Sequence, residues 1–192
     1  MTPLAVDGRL ELRALEPGHV PAMFSLIDAN RARLREWMPW VDAAKSIRDT
    51  RSFVSAARQA TLERVAMHAG MWYDGELCGA IGIHHIDAIN RRGEVGYWVC
   101  ADLEGQGVVT RACRRLIRYA FEDLSLNRVE IRCDPRNSRS RSIPLRLGFR
   151  EEGTLRDAQW INGRFVDLVV YGLLHREWAV TAGATPLPAA GK

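Results

Sequence analysis

Apolar and polar residues alternate across residues 9–14, a period of two that predicts a half-buried strand. The period then changes. Over residues 16–30, Val20, Met23, Phe24 and Ile27 recur at helical spacing, and over 47–64 Phe53, Val54, Ala57 and Leu62 do the same. The segment holding Trp37 and Trp40 between them is predicted as a loop or short helix. Residues 66–73 and 77–86 flank Asp74-Gly75-Glu76, a turn whose residues tolerate positive φ, and so read as a hairpin. The next strand, 94–100, carries Gly96 in its interior, where glycine weakens pairing and marks a bulge or a close approach of ligand to backbone. The helix that follows sets Val109, Cys113, Leu116, Ile117, Ala120 and Leu124 on one stripe, a face that has to cover a sheet. After a strand at 129–133, Asn137 is placed to cap a further helix, which Pro144 is predicted to kink or shorten. Asn162-Gly163 joins strands 155–161 and 164–174 in a second hairpin. The resulting order, β-α-α-α-β-β-β-α-β-α-β-β, is mixed α/β.

The chain has 192 residues, a length that suits one domain, drawn at 1–179 with a flexible Ala/Pro/Gly tail at 180–192. No apolar run is long enough to span a bilayer and the first residues lack a signal core, so a soluble cytoplasmic protein without membrane contact is expected. Cys78, Cys100, Cys113 and Cys133 are widely spaced in apolar contexts with no CxxC pair, and read as buried thiols rather than metal ligands. The net charge is +4, and Lys45 and Lys192 are the only lysines. An arginine-rich surface of this kind suits an acidic partner or phosphates and equally suits plain solvation. No recognised nucleic-acid motif is present, so no direct nucleic-acid contact is expected.

The segment with most chemical content runs from the end of the 94–100 strand through Gly105-Gln106-Gly107-Val108-Val109-Thr110 into the amphipathic helix. Two glycines let successive backbone N–H groups converge on an anion where a helix also presents unpaired donors and its positive dipole end. The same glycines serve a tight turn with no ligand. There is no Lys-Ser/Thr pair after them, as a Walker loop needs, and Thr110 stands where a dinucleotide loop has its third glycine.

Glu104-Gly105-Gln106-Gly107-Val108-Val109 resembles the Q/R-x-x-G-x-G/A acetyl-CoA loop of the GNAT N-acetyltransferase superfamily, with Glu104 in place of Gln or Arg and Val109 in place of Gly or Ala. The resemblance runs from about residue 9 to 178 and is closest to the RimJ/RimL type. Arg35-Glu36-Trp37-Met38-Pro39-Trp40-Val41 is similar to that branch's aromatic segment, and Gly93-Glu94-Val95-Gly96-Tyr97-Trp98-Val99 to its fourth strand. Asn137-Ser138-Arg139-Ser140, Leu147-Gly148-Phe149 and Glu152-Gly153 match its N-x-x-S, L-G-F and E-G signature in order.

The resemblance implies a GNAT fold: a mixed, mostly antiparallel sheet of about seven strands with splayed central strands and flanking helices. It implies acetyl-CoA as donor, its pantetheine bonded by main-chain groups around Trp98, Val99 and Cys100, and its pyrophosphate held by Gly105, Gln106, Gly107, Val108 and Val109, with Thr110 adding a hydroxyl. Asn137 would bond the pantetheine arm, and Ser140 matches the position serving as general acid near the sulfur. Both also read as the cap and third residue of a helix. Gln159 stands where RimL-like sequences carry a glutamate, so deprotonation is expected through water ordered by Glu94, or through His84 or His85. Trp37, Trp40 and Trp160 are candidates to line an acceptor cleft. The implied partner is an amine: a protein N-terminus, with a ribosomal protein as candidate, or alternatively a small molecule such as a polyamine, amino acid or antibiotic. A non-catalytic acyl-CoA-binding module is the rival class, and homodimerisation is a family-based expectation.

Overall fold

In the computed structural model, which describes residues 2–182, the strands form one sheet in the order β1-β2-β3-β4-β5-β6-β8-β7. They are β1 (Leu4–Ala5), β2 (Leu10–Ala14), β3 (Met67–Tyr73), β4 (Glu76–Asp87), β5 (Arg92–Val99), β6 (Arg128–Cys133), β7 (Arg150–Ile161) and β8 (Arg164–Leu174). The sheet therefore has 8 strands rather than about seven. The additional one, β1, is a two-residue pairing with β2, too short to leave an alternating pattern in sequence.

The helices divide between the two faces. Helices α1 (Val20–Ala29), α2 (Arg31–Arg35) and α3 (Ile47–Leu62) accompany one face, and α4 (Val108–Glu122) and α5 (Ser138–Arg146) the other. The division follows from the pleat of β5. Val95 and Val99 pack in the cluster holding Val108, Cys113, Leu116 and Phe121, whereas Trp98 joins Val20, Met23, Ile27 and Val54 on the opposite side. The buried stripe of α4 begins at Val108 rather than Val109, and Leu124 lies beyond the helix. Helix α6 (His175–Ala182) runs past residue 179, and the rest of the expected tail lies outside the described residues.

Both hairpin turns form as their residues require, with positive φ at Asp74 and Gly75 and at Asn162 and Gly163. Gly96 departs from expectation. Its pairing with Gly82 is regular, and the irregularity in the β4–β5 ladder lies instead between His84 and Asp87, where His85 takes φ +50°. A Cβ at Gly96 would stand 3.0 Å from Nε2 of His84, a tight contact with a side chain from the next strand. The group that comes close to Gly96 is this neighbouring imidazole.

One local feature governs the site. β5 and β6 run parallel and pair only through Arg92, Gly93 and Glu94 with Arg128, Val129 and Glu130. Beyond Glu94 the two strands part, leaving a gap in the middle of the sheet.

Candidate active site

After β5 a 3-10 turn, Ala101–Leu103, leads into the glycine loop. Gly105 and Gly107 both sit at φ +73°, in the left-handed region, and nothing lies within 4 Å of where a Cβ would project from either. Gly107 is the N-cap of α4 and no side chain caps that end. The first N–H groups of the helix are therefore left for an external acceptor, reinforced by the positive end of the dipole. Gly105, Gly107, Val108, Val109 and Thr110 all line a cleft of about 630 Å³. The Gln106 side chain turns away and donates from Nε2 to the Asp102 carbonyl at 2.7 Å, so only its main chain is left to the loop.

The main-chain groups at the end of β5 are shared out differently from the expectation. The Cys100 N–H donates to the Cys78 carbonyl at 2.8 Å, and its thiol is buried in the core. Cys100, just past the end of β5, thus has its N–H engaged within the protein. Trp98 is opposite Ala80 in the same ladder and has the same parity as Cys100, so its main chain also faces β4. The Val99 carbonyl accepts from Nη2 of Arg33 at 2.6 Å. What remains for a chain lying in the gap is the alternate set, including the N–H of Val99.

Glu104, the departure from the family loop pattern, is neutralised from two sides by ion pairs to Arg33 and Arg139. Arg33 thereby ties α2 to the glycine loop. With Arg136 and Arg146 also on the wall, the cleft carries more cations than anions, as a polyphosphate requires.

At the inner end, Asn137 caps α5 by accepting the Ser140 N–H at 3.0 Å, as its position predicted. Pro144 lies inside this helix and has no N–H to give the carbonyl four residues back, which belongs to Ser140. The Tyr97 hydroxyl lies 3.2 Å from that carbonyl and 3.2 Å from Oγ of Ser140. Tyr97 has one proton, and the carbonyl can only accept. When Tyr97 donates to the carbonyl, the hydroxyl of Ser140 is the donor in the second contact and the phenol oxygen accepts. Burial raises the Tyr97 pKa well above the ordinary phenol range, so the phenol stays protonated. Sequence reasoning did not single out Tyr97. The available signal was a phenol in an apolar strand, which needs a partner when buried.

A second cleft, of about 770 Å³, opens on the α1–α3 face and shares Trp37, Met38, Tyr97, Trp98, Asn137 and Ser140 with the first. The two therefore meet at Ser140. Glu94 lines the second cleft, 3.4 Å from Nε of Arg132. Burial raises its carboxyl pKa, and Arg132 opposes without cancelling. His84 is directly across the ladder from Glu94, and burial lowers its imidazole to about 4. A group of that basicity is neutral near pH 7 and is a poor acceptor for an ammonium proton. His85 and Gln159 also line this cleft, as do Trp37 and Trp40. Trp160 does not: it is 56% exposed on the β7–β8 hairpin, in edge contact with Phe165 at 4.7 Å between ring centroids.

The model of the acetyltransferase (GNAT) domain matches residues 9–150. Over 176 residues the chain is 42% identical to YdaF of Bacillus subtilis (strain 168), whose name assigns it provisionally to the ribosomal N-acetyltransferases, covering 90% of this chain and 95% of that protein. It is 30% identical over 168 residues to the ribosomal-protein-serine acetyltransferase of Escherichia coli (strain K12), covering 88% and 94%. Among solved structures it superposes on RimL, the ribosomal L7/L12 α-N-protein acetyltransferase in complex with coenzyme A, with a TM-score of 0.87 at 27% identity, covering 90% and 97%.

Proposed function

This chain belongs to the GNAT acetyltransferase family, and from that premise we propose that it moves the acetyl group of acetyl-CoA onto the α-amine of a protein N-terminus, a ribosomal protein being the first acceptor to try. The observation that carries the reading is the meeting of two clefts at Ser140, one built for a polyphosphate and the other lined by Glu94. The relatives named for ribosomal-protein acetylation span nearly the whole chain, which supports the acceptor class.

Acetyl-CoA supplies a thioester carbonyl. The residues of this chain supply the rest. The glycine loop and the first turn of α4 hold the pyrophosphate, with Thr110 beside them, and Asn137 keeps its amide NH2 for the pantetheine arm. The Val99 N–H, facing the gap, is the donor for the carbonyl oxygen as it gains negative charge. Glu94, through a water, takes the proton of the attacking amine, and the raised pKa brings that carboxylate closer to the task. As the new C–N bond forms and the C–S bond breaks, Ser140 gives its hydroxyl proton to sulfur and regains one through water, while Glu94 gives up the proton it took, so that the amine's proton is balanced by the thiol's. Tyr97 holds Ser140 in place.

The test is a calorimetric titration with acetyl-CoA, followed by a free-thiol assay across N-terminal peptides and small amines. Binding with thiol release on a peptide is the expected result. Release only on a small amine moves the acceptor to that class, and absence of binding overturns the reading.

A further inference from the structure

A row of alternating charge crosses the sheet and ends at Glu94. Glu130 of β6 is 7% exposed and pairs with Glu94 of β5 at the last rung before the two strands part. One of its carboxylate oxygens accepts from Nε of Arg128 at 3.0 Å, and the other from Nη2 and Nε of Arg132 at 2.8 and 3.1 Å. Arg128 reaches on to Glu152 of β7, donating from Nη1 at 2.8 Å. Gly172 of β8, opposite Glu130 in the ladder, leaves room for that far end: a Cβ there would stand 2.7 Å from Nη1 of Arg128 and closer still to the Glu152 carboxylate. At the near end Nε of Arg132 lies 3.4 Å from Oε2 of Glu94, and both residues line the acceptor cleft.

Arg132 is thus unequally shared. It donates twice to Glu130, and its distance to Glu94 is longer than an ordinary N–H···O bond. A carboxylate gripped by two guanidiniums keeps its charge and makes a poor base, whereas one beside a single, partly committed cation can take a proton and release it. With Glu94 ionised, the row holds three carboxylates against two guanidiniums, so a proton on Glu94 brings it to balance and leaves no buried charge unpaired. The other titratable groups facing Glu94 are His84 and His85 of β4, and His84 is neutral near pH 7. Asp49 and Asp134, in the same cleft, have partners of their own in Ser46 and Arg136.

We infer that Arg132 is a positioning residue for Glu94 and that Glu130 sets how far it acts: by holding most of the guanidinium, Glu130 leaves Arg132 near enough to fix the Glu94 carboxylate in the cleft and too far to quench it as a base. That role rests on the reading of Glu94 as the group that takes the amine's proton. Loss of the two neighbours moves Glu94 in opposite senses. Without the Arg132 cation the carboxylate loses a stabilising charge and keeps its proton to higher pH. Without the Glu130 charge it loses a repulsion, gains the released guanidinium and gives up its proton at lower pH.

The experiment reads Glu94 in two ways. Carbon NMR follows the titration of side-chain carboxyls in protein carrying labelled glutamate, with Glu94→Gln identifying the resonance. In parallel, the acidic limb of kcat/KM is recorded by thiol release from acetyl-CoA with a peptide that begins with serine. Arg132→Gln should raise the midpoint of both by about one pH unit, and Glu130→Gln should lower both by about half a unit to one unit. Arg132→Lys, which keeps the charge, should reverse most of the first shift. Thermal melts check that each variant is folded, and the contrast of Arg132→Gln with Arg132→Lys decides the matter if Glu130→Gln is not. Midpoints that stay in place, or that move the same way in both glutamine variants, overturn the inference, because loosened packing has no reason to send the two apart. A limb that vanishes in Glu94→Gln and ignores Arg132 and Glu130 refutes their role and leaves Glu94 as the base. Carboxyl midpoints that separate as expected, with Glu94→Gln keeping more than about a tenth of the native kcat/KM, do the opposite.

Discussion

Gly107→Ala separates the fold from the cofactor site. The residue sits at φ +73° and ψ +4° as the N-cap of α4, and its missing Cβ would point into open space. The fold therefore loses only the backbone strain, about 1–2 kcal/mol for an L-residue in the left-handed region. In a chain of this size each kcal/mol lowers Tm by about 2–4 °C. The same methyl lies on the wall where phosphate oxygens have to approach the main chain. Displacing one charge-assisted hydrogen bond of about 1.5–3 kcal/mol weakens binding by about tenfold to a hundredfold. Gly75→Ala is the matched control: its φ is +86°, its Cβ also meets nothing within 4 Å, and it sits in the β3–β4 turn away from the cleft. Thermal melts should show similar losses for the two variants, and calorimetry with CoA should show weakened binding for Gly107→Ala alone. An unchanged CoA affinity in that variant would refute the placement of the pyrophosphate on this loop.

Ser140→Ala should lower kcat by about a hundredfold, the lower range for a lost general acid, with CoA affinity nearly unchanged by calorimetry, since the cap of α5 uses only the main-chain N–H of that residue. Glu94→Gln should cost at least about tenfold in kcat/KM and remove the acidic limb of the pH profile; a smaller loss removes Glu94 as an essential base. For His84 the folded pKa, about 4, lies below the ordinary 6.5, so the unfolded chain binds more protons between these values. Stability should fall by up to about 3 kcal/mol as pH drops through that window, with no contribution above it. His84→Gln should flatten this part of a denaturation-versus-pH series.

The parts of the fold legible in sequence were those in which a residue answers to its own backbone. Asn162-Gly163 and Asp74-Gly75 needed positive φ and took it. The glycine loop and the cap at Asn137 were legible for the same reason. The less legible parts depend on neighbours across the sheet. Gly96 lies close against His84, which reaches it from another strand. β7 extends to Arg150 although it is exposed almost throughout, and its register breaks between Leu155 and Gln159, so it carries no alternation to read. Glu104 looked like a misfit to the loop because its two arginines come from α2 and α5. Spacing along the chain cannot report such meetings.

The proline in α5 has a mechanical consequence. Where β5 and β6 part, the sheet has no ladder to fix the width of its opening. The Tyr97–Ser140 contact crosses from β5 to α5 at that place, and it exists because Pro144 withholds the helical donor. The phenol is thus a strut, and a defect in the helix is its socket. Restoring an N–H at position 144 would set the helix in competition for the Ser140 carbonyl and leave the strut leaning on the serine hydroxyl, so a residue that never touches the gap bears on its span.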